Sequence, residues 1–282
     1  SEVILGGYAF HLVSHPLIHS QWLSRPGAFV GAFGVSAMVV AAGASVLALA
    51  ALKGRGEHHA ALRTLGVVIA IFVIGLASGP SRPGPSVRVG VVQTNVPQSN
   101  KMGGTVDDMV AQMDELVTLT RAAATPDAGG RRPDFIAWPE TMKPGLSLDP
   151  ATLREVERAG LVMRRESGEQ VPDRVFADAT LEVSREVGVP ILVGEEGFDN
   201  LRIGSDERGR VKVEFDHRYN SVFIVENGRV GDQRSDKVRL VPFGEYMPLF
   251  RHVPALERAL LGLGAAGMKF DLSQGTEAKV FR

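Results

Sequence analysis

Two long uncharged stretches stand out in the pattern of hydrophobic and polar positions. The first runs from Pro26 to Leu52 and the second from Thr64 to Ser81. About 20 residues, each rising about 1.5 Å, are enough to cross the hydrocarbon core of a bilayer. The pattern predicts two transmembrane helices, at about 27–52 and 64–80. The alternative is a pair of buried helices in a large soluble core.

The short loop between these stretches predicts their orientation. It carries Lys53, Arg55 and Arg63 against Glu57. Because positive loops stay in the cytoplasm, two crossings place everything after Pro80 on the outer face of the membrane. The Pro- and Gly-rich residues 79–86 then predict a linker, since they cannot continue a helix.

After the linker, the spacing of hydrophobic residues changes to that of alternating strands and helices, which is typical of an α/β domain. Alternating or continuous apolar runs predict strands, and apolar residues at helical spacing predict helices. An Asn227-Gly228 pair between two apolar runs predicts a hairpin. The predicted order is strand 87–92, helix 106–123, strand 134–138, helices 150–166 and 173–187, strand 190–194, and a hairpin at 219–230. This order indicates helices covering a mixed sheet.

Composition narrows the function classes. Hydrophobic residues make up 44% of the 282 residues, charged residues 22%, and the net charge is −1. These values exclude a disordered charged tail and give no global positive charge for binding nucleic acid. The absence of cysteine excludes disulfides, thiolate metal sites and a cysteine nucleophile within this sequence.

Two stretches carry candidate chemistry. Glu140 ends the sequence WPE directly after a predicted strand, where active-site residues of α/β sheets gather. It is either a desolvated general base beside an aromatic ring or an exposed strand-end carboxylate. Lys237 begins DKVRLVPFGEYMP, which also contains Glu245. It either stabilises an oxyanion beside Glu245 or is a solvated surface lysine. Glu195-Glu196, after the strand 190–194, either lines the same site or lies in an exposed loop.

Together these motifs resemble the carbon–nitrogen hydrolase (nitrilase) superfamily, and within it the apolipoprotein N-acyltransferases. The opening VVQTNVPQ and the segment Tyr219-Asn220-Ser221 are similar to that family's sequences as well. The resemblance covers residues 87 to about 250. It implies a membrane region at 1–86 and an extracytoplasmic carbon–nitrogen hydrolase domain at 87–282 with a nitrilase-like αββα sandwich.

The resemblance also implies site roles and substrates. Glu140 matches the general base, Lys237 the lysine that supports the oxyanion, and Glu245 a further carboxylate that positions Lys237 or the acceptor. The implied reaction is ping-pong transfer of an acyl chain from a phospholipid, through a cysteine thioester, to the N-terminal amine of a diacylglyceryl-cysteine lipoprotein. No cofactor, metal or nucleic acid is implied. The implied location is the bacterial inner membrane, with the catalytic domain on the periplasmic side.

The chain departs from the family in one respect, because the family's nucleophile is a cysteine. We expect a fragment that lacks upstream helices and ends before the nucleophile, and we expect the chain as given to be inactive. Two alternatives stay open. A membrane-tethered amidase would use the same Glu140 and Lys237, and a non-catalytic scaffold would have lost the nucleophile altogether.

Overall fold

The computed structural model describes residues 12–51, 54–77, 84–95, 104–140, 143–241, 245 and 272–281. The chain divides into two compact units, one within Gly7–Pro85 and the other within Ser86–Arg282. The predicted linker at 79–86 falls mostly outside the described residues, and its last residues, 84–86, have no regular structure.

The first unit is a helical hairpin preceded by a short folded segment. Its elements are a 3-10 helix (His15–His19), α1 (Gln21–Ser24), α2 (Gly27–Ala51) and α3 (Arg55–Ala77). Helices α2 and α3 pack against each other. Both are long and apolar enough to cross a membrane, by length and composition.

The two long helices differ from the prediction at one boundary. Helix α3 begins at Arg55, nine residues before the predicted start at 64. The charges of Arg55, Glu57 and Arg63 end the apolar run, but Arg and Glu are good helix formers, so the helix itself continues through them. Residues 52 and 78–80 of the predicted spans lie outside the described part of the chain.

A glycine interrupts α2 near its start. Gly31 has φ 66° and ψ 176°, outside the helical region. Positive φ is accessible to glycine without the steric penalty of a Cβ atom. The uninterrupted helix is therefore Ala32–Ala51, and residues up to Val30 form a separate turn before it.

The second unit is a mixed α/β fold. Its elements in chain order are β1 (Val89–Val91), α4 (Val106–Ala123), β2 (Phe135–Ala137), α5 (Pro150–Ala159), β3 (Val162–Arg164), β4 (Gln170–Pro172), α6 (Arg174–Val187), β5 (Ile191–Asp199), β6 (Arg202–Ser205), β7 (Val211–Glu214), β8 (His217–Glu226) and β9 (Arg229–Asp236). The main sheet has the order β1-β2-β5-β8-β9. Strands β1, β2 and β5 run parallel, and β8 and β9 are antiparallel to their neighbours.

Helices α4 and α6 cover one face of this sheet. Side chains alternate between the faces of a strand, so one set of positions points into the helix layer. That set packs with both helices in the main core, which includes Leu116, Ile136, Phe176, Ile191, Val193 and Val225. On the opposite face Val89 and Val91 are 42% and 71% exposed, and Leu192, Val222 and Ile224 are partly exposed.

Several predicted boundaries were wrong. The helix predicted at 150–166 ends at Ala159, because Gly160 adopts a left-handed conformation with φ 58° and caps it. The strand predicted at 190–194 continues to Asp199, so Glu195 lies within β5 and not in a loop. Helix α4, α6 and the hairpin are confirmed, with Asn227 and Gly228 at φ 50° and 74° in its turn.

Candidate active site

The three residues singled out in the sequence lie together in the structure. Glu140 follows β2 and Lys237 follows β9, 97 positions later. The Lys237 Nζ atom lies 2.7 Å from Glu245 Oε1 and 3.4 Å from Glu140 Oε1. One ammonium group therefore bridges two carboxylates at the carboxyl ends of the strands, where the sequence pattern had placed the chemistry.

Backbone pairing fixes the start of the lysine side chain. The Lys237 N–H donates to the carbonyl of Asn220 at 2.8 Å, which extends the β8–β9 pairing one residue beyond β9. Lys237 thus leaves the sheet beside Asn220, which is 9% exposed.

Asn220 joins the same two carboxylates through its side chain. Its Nδ2 group donates to Glu140 Oε1 and, at 3.2 Å, to Glu245 Oε1. A carboxamide nitrogen has two hydrogens, so one amide serves both acceptors. In the sequence, Asn220 stood out only as part of the motif Tyr219-Asn220-Ser221. Asn220 pairs with Lys237, one residue beyond the end of β9, and this register depends on an irregularity in the β8–β9 pairing that no sequence signal marked.

A local turn holds Glu245. The Val241 N–H donates to Glu245 Oε2 at 2.7 Å, and the Glu245 N–H donates to the Val241 carbonyl at 2.9 Å. The carboxylate is thereby aimed at Lys237 by its own chain segment. The positions 242–244 and 246–248 of the motif lie outside the described residues.

Both members of this ion pair are held in their charged forms. Burial raises the pKa of Glu245, but hydrogen bonds from Lys237, Val241 and Asn220 outweigh it and leave the pKa below its ordinary value. Burial lowers the pKa of Lys237, but Glu245 and Glu140 outweigh it and leave the pKa above its ordinary value. At neutral pH the site therefore contains an ammonium group that can oppose a developing negative charge.

Of the two interpretations of Glu140, the structure agrees with the exposed strand-end carboxylate and not with the desolvated base. The Glu140 side chain is 59% exposed. The neighbouring Trp138 turns into the core instead, where its Nε1–H donates to Thr120 Oγ1 at 2.8 Å. The backbone of Glu140 rests on Gly194 of β5, where an added Cβ atom would lie 3.1 Å from the Glu140 Cα atom. The position of Glu140 is thus fixed by the packing of its backbone on Gly194 and by its side-chain contacts with Lys237 and Asn220.

A buried ion pair anchors the segment that follows Glu140. Glu195 Oε2 lies 3.2 Å from Lys143 Nζ, and its Oε1 accepts hydrogen bonds from the Leu148 N–H and, at 3.4 Å, from Ser147 Oγ. Burial raises the pKa of Glu195, and Lys143 opposes that effect. Glu195 therefore holds the chain behind the site and does not line it.

The chain is similar to known proteins over most of its length. It is 30% identical over 256 residues to the apolipoprotein N-acyltransferase of Allorhizobium ampelinum, covering 87% of this chain and 39% of that protein. It is 25% identical over 259 residues to the protein of that name from Rhizobium etli, covering 88% and 41%. It is 28% identical over 270 residues to the one from Brucella suis biovar 1, covering 93% and 41%.

No family model matches the chain. The chain spans about two-fifths of the length of the curated relatives that it matches. The resemblance that the sequence motifs predicted is confirmed by these relatives: the chain is similar, over nearly all of its length, to apolipoprotein N-acyltransferases.

Proposed function

We propose that this chain forms part of an enzyme that transfers an acyl chain from a phospholipid to the N-terminal amine of a lipoprotein bearing S-diacylglyceryl-cysteine. The observation that carries the proposal is the position of Lys237 Nζ between the carboxylates of Glu140 and Glu245. The relatives named apolipoprotein N-acyltransferase support acyl transfer as the reaction class.

Each of the three side chains has a different role in the proposed reaction. Glu140 is the general base, because its side chain is 59% exposed and can reach a substrate proton. Lys237 stabilises the oxyanion. Glu245 is a positioning residue, since its shortest contact, at 2.7 Å, is with Lys237. Asn220 is a second positioning residue, because it contacts both carboxylates.

The first half-reaction loads a thiol. The chain contains no cysteine, so we propose that the thiol comes from outside these 282 residues and that the chain alone does not turn over. Glu140 takes the thiol proton, and the thiolate attacks the ester carbonyl carbon of the phospholipid. Lys237 faces the oxyanion of the tetrahedral intermediate. The C–O bond then breaks, and the proton on Glu140 passes to the departing lysophospholipid alkoxide.

The second half-reaction transfers the acyl chain from the thioester to the lipoprotein. The free α-amine of the lipoprotein attacks the thioester carbonyl carbon, and Lys237 again faces the oxyanion. The new C–N bond forms as the C–S bond breaks, and Glu140 transfers the amine proton to the departing thiolate. The thiol is restored, so the two substrates react in turn.

We also propose a nitrilase-like αββα layering for the second unit. One face of its sheet is covered by α4 and α6, and the other carries exposed Val89 and Val91 with partly exposed Leu192 and Ile224. Apolar side chains on a second face are what a further layer would bury. The helices α2 and α3 support placement in the inner membrane, with this unit on the periplasmic side.

The test uses the product of the complete reading frame that encodes this chain. Membranes containing it are mixed with phosphatidylethanolamine and a synthetic diacylglyceryl-cysteine peptide, and the peptide mass is followed. We expect a mass gain of one acyl chain, and a loss of rate of about 10²–10⁴-fold for Glu140→Gln.

Glu207→Gln is the matched control, because Glu207 is an exposed carboxylate on the β6–β7 turn. It should keep the full rate. Release of free fatty acid or ammonia without a gain in peptide mass would instead identify a hydrolase. Equal rates for Glu140→Gln and Glu207→Gln would exclude Glu140 as the base.

A further inference from the structure

Residues 12–30 form a folded segment with many exposed apolar side chains. Ile18 is 67% exposed, Trp22 62%, Leu23 44% and Phe29 59%. The segment has a defined structure, since Ser20 caps α1 by accepting a hydrogen bond from the Leu23 N–H at 3.3 Å. Large apolar groups held in fixed positions outside any core indicate contact with a partner or with lipid.

Two contacts place this segment at one end of the helical hairpin. Arg25 Nη1 donates to the carbonyl of Leu76 in the last turn of α3 at 3.1 Å. Gly75 approaches Pro26 so closely that an added Cβ atom would lie 3.0 Å from the proline nitrogen. The residues before α2 are therefore level with the last turn of α3.

The break at Gly31 marks the point where the continuous, membrane-length part of α2 begins, directly after this segment. The helix that continues without interruption, Ala32–Ala51, is the 25-residue α2 less its first five residues. At about 1.5 Å per residue it is about 30 Å long, which is the thickness of the hydrocarbon core of a bilayer. Ser14 is tied to the first turn of this helix, donating from Oγ to the Ala32 carbonyl at 3.0 Å.

Trp22 and Arg25 are the residue types found where hydrocarbon meets headgroups. The Arg25 guanidinium carbon lies 4.7 Å from the centroid of the Trp22 ring. Tryptophan concentrates at membrane interfaces because one side of its ring is apolar and its N–H is polar. A guanidinium at the same depth can reach lipid phosphates.

We propose that residues 12–30 are a lipid-contacting segment that lies in the bilayer interface at the end of α3, with Ile18, Trp22 and Leu23 among the acyl chains and Arg25 at the phosphates. The occupant of this surface is lipid, because the exposed residues continue the exposed apolar faces of α2 and α3, where Phe33 is 41% and Ile74 is 59% exposed. The inference rests on the proposed membrane location and not on acyl transfer.

The chain's two tryptophans provide the test. Trp138 is 7% exposed in the core of the second unit, so Trp22 is the one that senses lipid. The full chain is reconstituted into phosphatidylcholine vesicles whose lipids are brominated either near the headgroup or near the end of the acyl chain. The Trp22 signal is obtained from Trp138→Phe, and also as the difference between the unaltered chain and Trp22→Phe, which leaves Trp138 intact.

We expect a larger fractional loss of Trp22 emission with bromines near the headgroup than with deep bromines, and little loss for Trp138. Stronger quenching by deep bromines overturns the interfacial depth. Quenching by aqueous iodide without quenching by either lipid places Trp22 in water. Protection from iodide and both lipids indicates a covering protein surface and also overturns the proposal.

A tryptophan introduced at position 69 tests the membrane location separately from the interfacial depth of Trp22. Ile69 is 53% exposed near the middle of the apolar part of α3, so Ile69→Trp combined with Trp22→Phe and Trp138→Phe introduces a single deep tryptophan. Strong quenching by deep bromines at position 69 without shallow quenching at Trp22 refutes only the interfacial segment. No lipid quenching at position 69 refutes the membrane location.

Discussion

The ammonium group of Lys143 lies 3.2 Å from the carboxylate of Glu195, and only 1% and 2% of the two side chains are exposed. This pair lies behind the catalytic candidates and ties the chain after Glu140 to β5. Its physical role can be separated from catalysis, because removing one member of a buried pair leaves an uncompensated charge.

We expect Lys143→Met to lower the free energy of unfolding by about 3–5 kcal/mol, since Glu195 stays buried without its cation. Urea unfolding in detergent, followed by Trp138 fluorescence in a Trp22→Phe background, measures this. Lys143→Met combined with Glu195→Gln should recover most of the loss, because the glutamine oxygen still accepts from Leu148. Equal losses for the single and double variants would show that the two charges do not interact.

Asn220→Ala should lower the turnover number for acyl transfer by about 10²-fold with little change in KM, because a small misplacement of reacting groups costs about that much. It should also make activity fall at higher pH on the acidic side, because the Asn220 amide helps to hold the pKa of Glu245 down and a protonated Glu245 no longer forms the ion pair that positions Lys237. A packing defect would not cause this shift. Gln233→Ala, on the exposed side of β9, is the control and should keep both the rate and its pH dependence.

Gly194→Ala tests whether the backbone of Glu140 needs its close support. The new Cβ atom would lie 3.1 Å from Glu140 Cα and 3.2 Å from the Pro139 carbonyl oxygen, so the chain carrying Glu140 has to shift. We expect a stability loss of about 1–3 kcal/mol and a lower turnover number. Gly204→Ala meets no atom within 4 Å and should leave both unchanged. Wild-type activity in Gly194→Ala would contradict this support.

Glu155 should make folding sensitive to acid. Hydrogen bonds from Arg158, and then from the Ile203 N–H, lower the pKa of Glu155 to about 2. A depressed carboxyl pKa contributes stability above the ordinary carboxyl range and loses it as the pH falls toward the folded value. The stability difference between the unaltered chain and Glu155→Gln should therefore shrink as the pH is lowered from neutral to about 2. A difference independent of pH would contradict the shifted pKa.

The sequence was most informative where local signals and hydrophobic pattern agree. Helix α4 has both helical spacing and a capping box between Thr105 and Asp108, and its bounds matched the prediction. The hairpin of β8 and β9 was marked by Asn227-Gly228. The charged stretch 150–166 predicted one long helix, but Gly160 ends α5 at Ala159.

Other features depend on contacts that no local pattern contains. Strands β6 and β7 were not predicted. Val211 and Val213 do alternate with Lys212 and Glu214 in β7, but each strand has only four residues, which is the lower limit for a recognisable alternation. Glu195 can be buried as an ion because it pairs with Lys143, which is 52 positions away. Glu140, Lys237 and Glu245 were identified through motifs, whereas the exposure of Glu140 and the bridging contacts of Asn220 required the fold.

The separation of these residues along the chain links the site to the folding process. Asn220 is 80 positions from Glu140, and Lys237 is 97 positions from it. Contacts over such distances form late, because the entropy of closing long loops has to be overcome before strand pairing compensates for it. A partly folded chain with α4, α6 and the β8–β9 hairpin in place would still hold Glu140 and Lys237 apart. Charge pairing between Glu140 and Lys237 is therefore a marker of the completed β2–β5–β8–β9 assembly, and a collapsed intermediate would not yet contain the candidate site.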